Sequence, residues 1–373
     1  MLRLRRYLTR HAGYLPLPGQ GPSNQPSYPT VAFCVVSIAL LASLIANIVL
    51  TVKVNHHPPR PLDDYQNLNT APFWADDTTG PLNPEENAIV TTLYTDSYAT
   101  AVATLGHSLQ KVNATAQKIV LYLPHKISPS ALCLATSSGF QPRPVERISP
   151  PHGGKKISQQ FIDQFTKLSL WTLDTIGIRR LVYLDADTLV MHNFDEIFGM
   201  PYRFAAVSDV WEDWRGYTLE FNAGVLFLRP DSAVFQHMMS ELPTARFPLQ
   251  YAEQAYLNQY FAADAVRLPL MYNGNLAAKH RFPQLWEGMR NTIRVIHYTM
   301  VKPFVGAAPQ FTPVPIDKLS ERVKEAAEEF DGAYREEVEL WGNVWEETRM
   351  AYARELEHCL SLSTQPSGKR SIS

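Results

Sequence analysis

The chain has 373 residues, 45% hydrophobic and 19% charged, which is ordinary for a globular protein and enough for one large domain with appendages or for two domains. A net charge of −2 gives no global basic field and argues against nucleic acid as the main partner. The three cysteines, Cys34, Cys133 and Cys359, lack metal-type spacing and argue against a disulfide framework; a single Cys133–Cys359 bridge stays open but has no support in the sequence.

The first seven residues are basic, with Arg3, Arg5 and Arg6, then Arg10, and no acid precedes Asp63. Residues 1–30 include PLPGQGPSNQPSYP, a composition that predicts a disordered tail. Val31 to Val52 carries no charge and is dominated by Val, Ile, Leu and Ala. About 20 apolar residues cross a bilayer, and the run is too long and too far from the N-terminus for a cleaved signal peptide. The positive-inside rule puts the arginines in the cytosol and the remainder in a lumen or outside the cell. Residues 53–84 are again rich in Pro, Asn and Asp and read as a stem. Eleven of the 28 prolines fall before residue 85, so the folded domain is expected to begin there.

Ala88 to Tyr94 reads as a first strand, Tyr98 to Val112 as a helix and Ile119 to Leu123 as a second strand. Asn113-Ala114-Thr115 between them is an acceptor triplet for N-glycosylation. A short helix over Ser130 to Ser137 and a third strand over Val145 to Ile148 come next. Gln160 to Ile176 has helical spacing, with Phe161, Phe165, Leu168, Trp171 and Leu173 as core candidates. Leu181 to Leu184 is a short apolar strand. Strands alternating with helices imply a mainly parallel α/β sheet. Neither GxGxxG nor GxxxxGK occurs, which excludes an ordinary dinucleotide or P-loop site and leaves no Gly-rich loop for a nucleotidyltransferase.

Asp185-Ala186-Asp187 follows that strand. Residues two apart in an extended segment point the same way, so the two carboxylates can converge on one divalent cation, with small Ala186 allowing close approach. Burying both without a neutralising partner would cost several kcal/mol each. Ligands of open α/β sheets gather at the strands' C-terminal ends, and a metal there suits a diphosphate. An acidic turn is the alternative. Downstream, Asn193 to Phe198 reads as a short capped helix, Phe204 to Ser208 as a strand, and Trp211, Asp213, Trp214 and Arg215 as an aromatic, charged loop. Phe221-Asn222-Ala223-Gly224 leads into a strand over Val225 to Leu228. Ser232 to Leu242 and Ala252 to Phe261 read as helices, and Val295 to Tyr298 as a late strand.

His297, at that strand's end, is either a structural imidazole or a third ligand, in which case Mn²⁺ is favoured over Mg²⁺. Lys302 is either a surface lysine or a point charge on a phosphate. Asn222 is either a turn residue or a hydrogen-bond partner for a hydroxyl, with Gly224 permitting close approach. From Ile316 to Leu360 the pattern is helical and strongly charged, with a partial apolar stripe that packs on the domain or on a partner.

Five stretches, VTTLYTDSYATAVATLGHSL (90–109), FTKLSLWTLDTIGIRRLVYLDADTLVMHNFDEIF (165–198), FNAGVLFLRP (221–230), EQAYLNQYF (253–261) and VIHYTMVKPF (295–304), together resemble glycosyltransferase family 8, the family of glycogenin and galactinol synthase. The resemblance implies a GT-A fold, a Rossmann-like mixed sheet flanked by helices, over residues 85–310. To this are added the N-terminal transmembrane helix and a helical C-terminal extension over 311–373. It implies a retaining transferase that moves a hexosyl group from a UDP-sugar to a glycan or polysaccharide hydroxyl with Mn²⁺, or with Mg²⁺ in its place. A fold of this kind that has lost catalysis and serves as a binding or scaffold protein is the alternative.

By the same resemblance Asp185, Asp187 and His297 hold the metal, and Thr92, Tyr94, Thr95 and Tyr98 hold uridine. Asp185-Ala186-Asp187 faces the donor. Lys167, Asn222 and Gly224 lie near the sugar, Glu253 and Gln254 match the family's acid–glutamine pair, and Lys302 sits on the diphosphate. Asp187, Glu253, Gln254 and Lys302 are the candidate catalytic side chains. Glu253 replaces the Asp of glycogenin-like members, Thr95 an Asn and Phe304 a Trp, and the His-to-Lys spacing is one residue shorter, so the donor sugar is left open. With the anchor, the expectation is a single-pass type II membrane protein of the Golgi whose catalytic domain is lumenal.

Overall fold

The computed structural model describes residues 28–56, 83–211, 217–306 and 311–363. The expected loop residues Asp213, Trp214 and Arg215, the tail before residue 28 and the stem over 57–82 lie outside them. The chain forms two units, residues 1–58 and 59–373. In the first, Tyr28–His56 is one helix whose Phe33–Thr51 stretch has a mean hydropathy of 2.6 and no buried residue. It is long and apolar enough to cross a bilayer.

The second unit is built on a seven-stranded mixed sheet with helices on both faces. Its strands are β1 (Asn87–Leu93), β2 (Gln117–Tyr122), β3 (Gln141–Pro144), β4 (Arg180–Leu184), β6 (Phe204–Val210), β7 (Tyr217–Leu228) and β8 (Val266–Leu268), in the order β3-β2-β1-β4-β7-β6-β8. The first four pair in parallel, and β7 runs antiparallel to both β4 and β6. Because helices cover both faces, β1 is buried throughout. Ile89 and Leu93 join one core with the helix Ala99–Lys111, while Ala88 and Val90 join another with Trp171 and Tyr183.

The third strand lies at Gln141–Pro144 rather than at Val145 to Ile148. It is an exposed edge strand, where two prolines are tolerated and no apolar run is required. Gln164–Ile176 is helical but of the tighter three-residue kind. Its buried residues Phe165, Leu168 and Trp171 recur every three positions, the spacing at which such a helix stacks side chains on one face.

A second sheet sets up the site. It contains β5 (Thr188–Val190), β9 (Gly274–Asn275) and β10 (Val295–His297), with β10 in the centre. The antiparallel register puts His297 opposite Thr188, one residue from Asp187. A backbone bond from Tyr298 N to Asp187 O at 2.9 Å continues that ladder.

The C-terminal helices Leu319–Glu328, Arg335–Ala351 and Ala353–Ser363 pack on the domain: Leu319, Val338, Trp341, Trp345 and Leu356 are part of the same core as β1. Cys133, on the helix Pro129–Thr136, is joined by a disulfide to Cys359 on the last helix, 226 residues away. The sequence left this one bridge open without support because nothing local in either segment marks a partner; the tertiary packing of two helices creates the pair.

Candidate active site

The side chains of Asp185, Asp187 and His297 converge at the C-terminal end of β4, each with a ligand atom within 4.8 Å of the others. The His297 Nε2 lies 3.8 Å from Asp185 Oδ2 and 3.4 Å from Asp187 Oδ1. Asp185 is held in line by its N–H, which donates to Gly224 O at 2.8 Å, and by the Tyr183 hydroxyl, which donates to its Oδ1 at 2.5 Å. Two carboxylates and an imidazole are donors suited to a divalent cation. Gly224 completes the fit: only a residue without Cβ leaves space for the His297 ring.

Lys302 reaches Asp187 Oδ2. Burial pushes the Asp187 carboxyl up, but Lys302 and then His297 outweigh it and hold the group well below the usual carboxylate range. Burial acts against the Lys302 ammonium as well, and Asp187 raises it regardless. The loop bearing Lys302 is propped from the C-terminal extension. Arg322 donates through Nε to Val305 O at 2.6 Å, the Tyr298 hydroxyl donates to Glu337 O at 2.6 Å, and Trp341 packs on Phe304 at 5.5 Å. Phe304 in turn meets Tyr98 edge-on at 5.1 Å.

Asn222, Ala223 and Gly224 lie where the β6–β7 register is interrupted, between Ala206 opposite Leu226 and Ser208 opposite Phe221. Such irregularities re-aim backbone at functional sites. Side chains from the helix Ala252–Tyr260 replace missing ladder bonds: Asn258 pairs with both backbone groups of Phe221 at 2.8 Å, and Gln254 Oε1 accepts from Ala223 N at 3.0 Å. Gln254 Nε2 donates to Asp209 Oδ2 at 2.9 Å. Asn222 Nδ2 donates to Asp209 Oδ1 at 3.1 Å, and Val210 N to the same oxygen at 3.0 Å. Burial raises the Asp209 carboxyl and these three donors oppose the rise.

Lys167, expected beside the sugar, is only 1% exposed. Its Nζ sits 2.7 Å from Glu253 Oε1, 3.1 Å from Asp185 Oδ1 and 3.1 Å from Ala223 O. Burial would lower this ammonium, yet Asp185 and Glu253 together raise it. It is the buried counter-charge that joins the Asp185 carboxylate to Glu253 and to the β7 irregularity. Of the remaining expected residues, Thr92 shares a hydrogen bond with the Tyr183 hydroxyl at 3.0 Å and Thr95 with Ser97 at 3.2 Å. Burial, ahead of Glu253, raises the Tyr94 hydroxyl well above its ordinary range. Burial, against Lys302, pushes the Tyr98 hydroxyl up to about 12.

The structure also adds residues that the sequence did not single out. Asn273 hydrogen-bonds His297, Tyr183 anchors Asp185, and Arg322 supports the Lys302 loop. The apolar LVYL run contained a signal for Tyr183, a polar tip inside a buried strand; Asn273 and Arg322 had none.

Residues 89–304 match the family model described as glycosyl transferase family 8. That is more than half of the chain, and the protein belongs to this family. It is similar to glycogenin of Neurospora crassa (26% identity, covering 61% of this chain and 32% of that protein). It is also similar to UDP-glucuronate:xylan alpha-glucuronosyltransferase 2 of Arabidopsis thaliana (28%, covering 48% and 28%) and to galactinol synthase 2 of the same plant (25%, covering 70% and 84%). The chain thus spans about a third of the first two relatives.

Proposed function

We propose that the protein transfers a hexosyl group, with retention, from a UDP-sugar to a hydroxyl of a glycan or polysaccharide. The observation that carries this reading is the convergence of Asp185, Asp187 and His297 beside Lys302. Asp185, Asp187 and His297 would hold one divalent cation, Mn²⁺ for preference. When bound, that cation supplies Lewis-acid stabilisation of the diphosphate leaving group.

Lys302 adds a half-buried positive charge for the same leaving group, and its present partner Asp187 keeps it aimed at the site. Thr92, Tyr94, Thr95 and Tyr98 hold uridine, as in the family. Asn222 and Gly224 approach the sugar from the irregular stretch of β7, and Gln254 from the helix Ala252–Tyr260. Glu253 is paired with Lys167, and Asp209 is occupied by three donors. Neither is a free nucleophile, which favours attack by the acceptor hydroxyl on the face the leaving group vacates.

For topology, we propose a type II protein with residues 1–30 cytosolic and 31–52 in the membrane. Residues 53–84 form a stem, 85–310 a lumenal catalytic domain and 311–373 its helical extension. The Cys133–Cys359 disulfide supports an oxidising, Golgi-type lumen for the domain.

The test is UDP release by the full-length protein in detergent, with Mn²⁺ and a panel of UDP-sugars. One donor should be turned over well above the rest. A protein that binds UDP yet turns over none of them, with any acceptor offered, would instead fit a binding role.

A further inference from the structure

We propose that Asn273 is a positioning residue for His297: its carboxamide oxygen fixes a proton on the ring Nδ1 and so keeps the Nε2 lone pair available to the cation that Asp185 and Asp187 face. This rests on the cation reading above.

A chain of buried polar contacts runs to the ring with one allowed direction. Gly224 N–H donates to the Asn222 side chain at 3.0 Å, and an N–H cannot accept, so the atom there is Oδ1. The Asn222 Nδ2 then faces Asp209, whose Oδ1 also takes the Val210 N–H. The same Asn222 Oδ1 lies 3.0 Å from the Asn273 carboxamide, which must present its Nδ2. That leaves Asn273 Oδ1, an acceptor only, 3.1 Å from His297 Nδ1. The ring can satisfy it only with a proton on Nδ1. Nε2, 3.4 Å from Asp187 and 3.8 Å from Asp185, is then the nitrogen that meets the cation.

Every member is buried: Asn273 is 1% exposed, His297 4%, Asp209 5% and Asn222 9%. Water is therefore poorly placed to substitute for any of the contacts. Metal-bound histidines generally donate their other ring N–H to a fixed acceptor, and removing that acceptor weakens metal binding. Here the acceptor is itself oriented by Asn222, whose Oδ1 is fixed by the Gly224 N–H and whose Nδ2 is taken by Asp209.

The test uses full-length protein in detergent, with ¹⁵N-labelled histidine and the His297 signal assigned by its loss in His297→Ala. In the metal-free parent, Nδ1 should carry a proton; an unprotonated Nδ1 overturns the proposal. Binding of Mn²⁺ alone is then followed by electron paramagnetic resonance of the free ion. Asn273→Leu should weaken Mn²⁺ binding about 10- to 100-fold. The same change in a His297→Ala background should have no effect, because Asn273 acts through the ring. Equal losses in both backgrounds mean a general disturbance of the site and overturn the proposal.

Asn273→Ala, which removes the same acceptor without adding bulk, should also weaken Mn²⁺ binding only when His297 is present. It provides the same decision if Asn273→Leu does not fold. If the parent binds no Mn²⁺, the cation reading fails by itself, and the Nδ1 proton in the metal-free sample still decides the orientation of the ring.

Discussion

Gly224 lies so close to His297 that a Cβ on residue 224 would come within 2.1 Å of the ring Cε1 and 2.6 Å of Nδ1. The ring is fixed by Asn273 and by the β5–β10 register, so it cannot yield cheaply. Gly224→Ala should therefore displace the imidazole or bend β7. We expect UDP release to fall by about 10²-fold or more, on the scale of losing one electrostatic contact to a leaving group. Circular dichroism should stay native. Wild-type turnover in the folded variant would show that the glycine serves chain geometry alone.

The second expectation concerns Arg322, buried and donating to Val305 O as well as to Glu329 Oε1 at 2.6 Å. Arg322→Met keeps most of the side-chain volume but leaves both acceptors unpaired. A loss of about 1–3 kcal/mol of stability should follow. Because those contacts also brace the Lys302 loop, the KM for the UDP-sugar should rise more than kcat falls. An unchanged KM, with a lowered melting temperature, would confine the residue to stability.

The Cys133–Cys359 bond closes a loop 226 residues long, and such bonds contribute about 2–5 kcal/mol. Cys133→Ser should lower the melting temperature, and dithiothreitol should then lower it no further. Thiol titration of the unfolded, unreduced protein should find Cys34 as the one reactive cysteine. Three reactive thiols would mean the bond does not form.

Topology is tested at Asn113, which is exposed at the end of the helix Ala99–Lys111, with the Thr115 hydroxyl donating to Asp195 Oδ2 at 2.9 Å. In sealed microsomes the catalytic domain should resist protease until detergent is added. Digestion of residues 85–305 without detergent would contradict the type II orientation. A glycosidase-sensitive mobility shift, lost in Asn113→Gln, should accompany the protection.

Much of this site was legible in the sequence because its parts carry local signals. The LVYL run predicts a buried strand, and a DxD at its end predicts converging carboxylates. The VIH segment marks a second apolar strand ending in a histidine, a candidate ligand. The rest depends on contacts between distant segments. Asn273 is one asparagine in MYNGN, and only the parallel pairing of β9 with β10 brings it beside His297. Lys167 was legible as a residue of the site, but its burial between Asp185 and Glu253 required the folded chain. The helix at Gln164–Ile176 was legible though not its tighter winding, and the third strand was misplaced because the exposed Gln141–Pro144 edge carries no apolar run.

The most direct measurement is UDP release against Mn²⁺ concentration for the parent, Asp187→Asn and His297→Ala, with folding checked by circular dichroism. Asp187→Asn keeps the shape but removes a charge facing the cation and the partner of Lys302. It should abolish transfer, a loss of several kcal/mol in transition-state stabilisation, and excess Mn²⁺ should hardly restore it. His297→Ala retains both carboxylates and should be partly rescued by excess Mn²⁺. Metal-independent release by the parent, or full activity of folded Asp187→Asn, would contradict a cation-assisted transfer at this site.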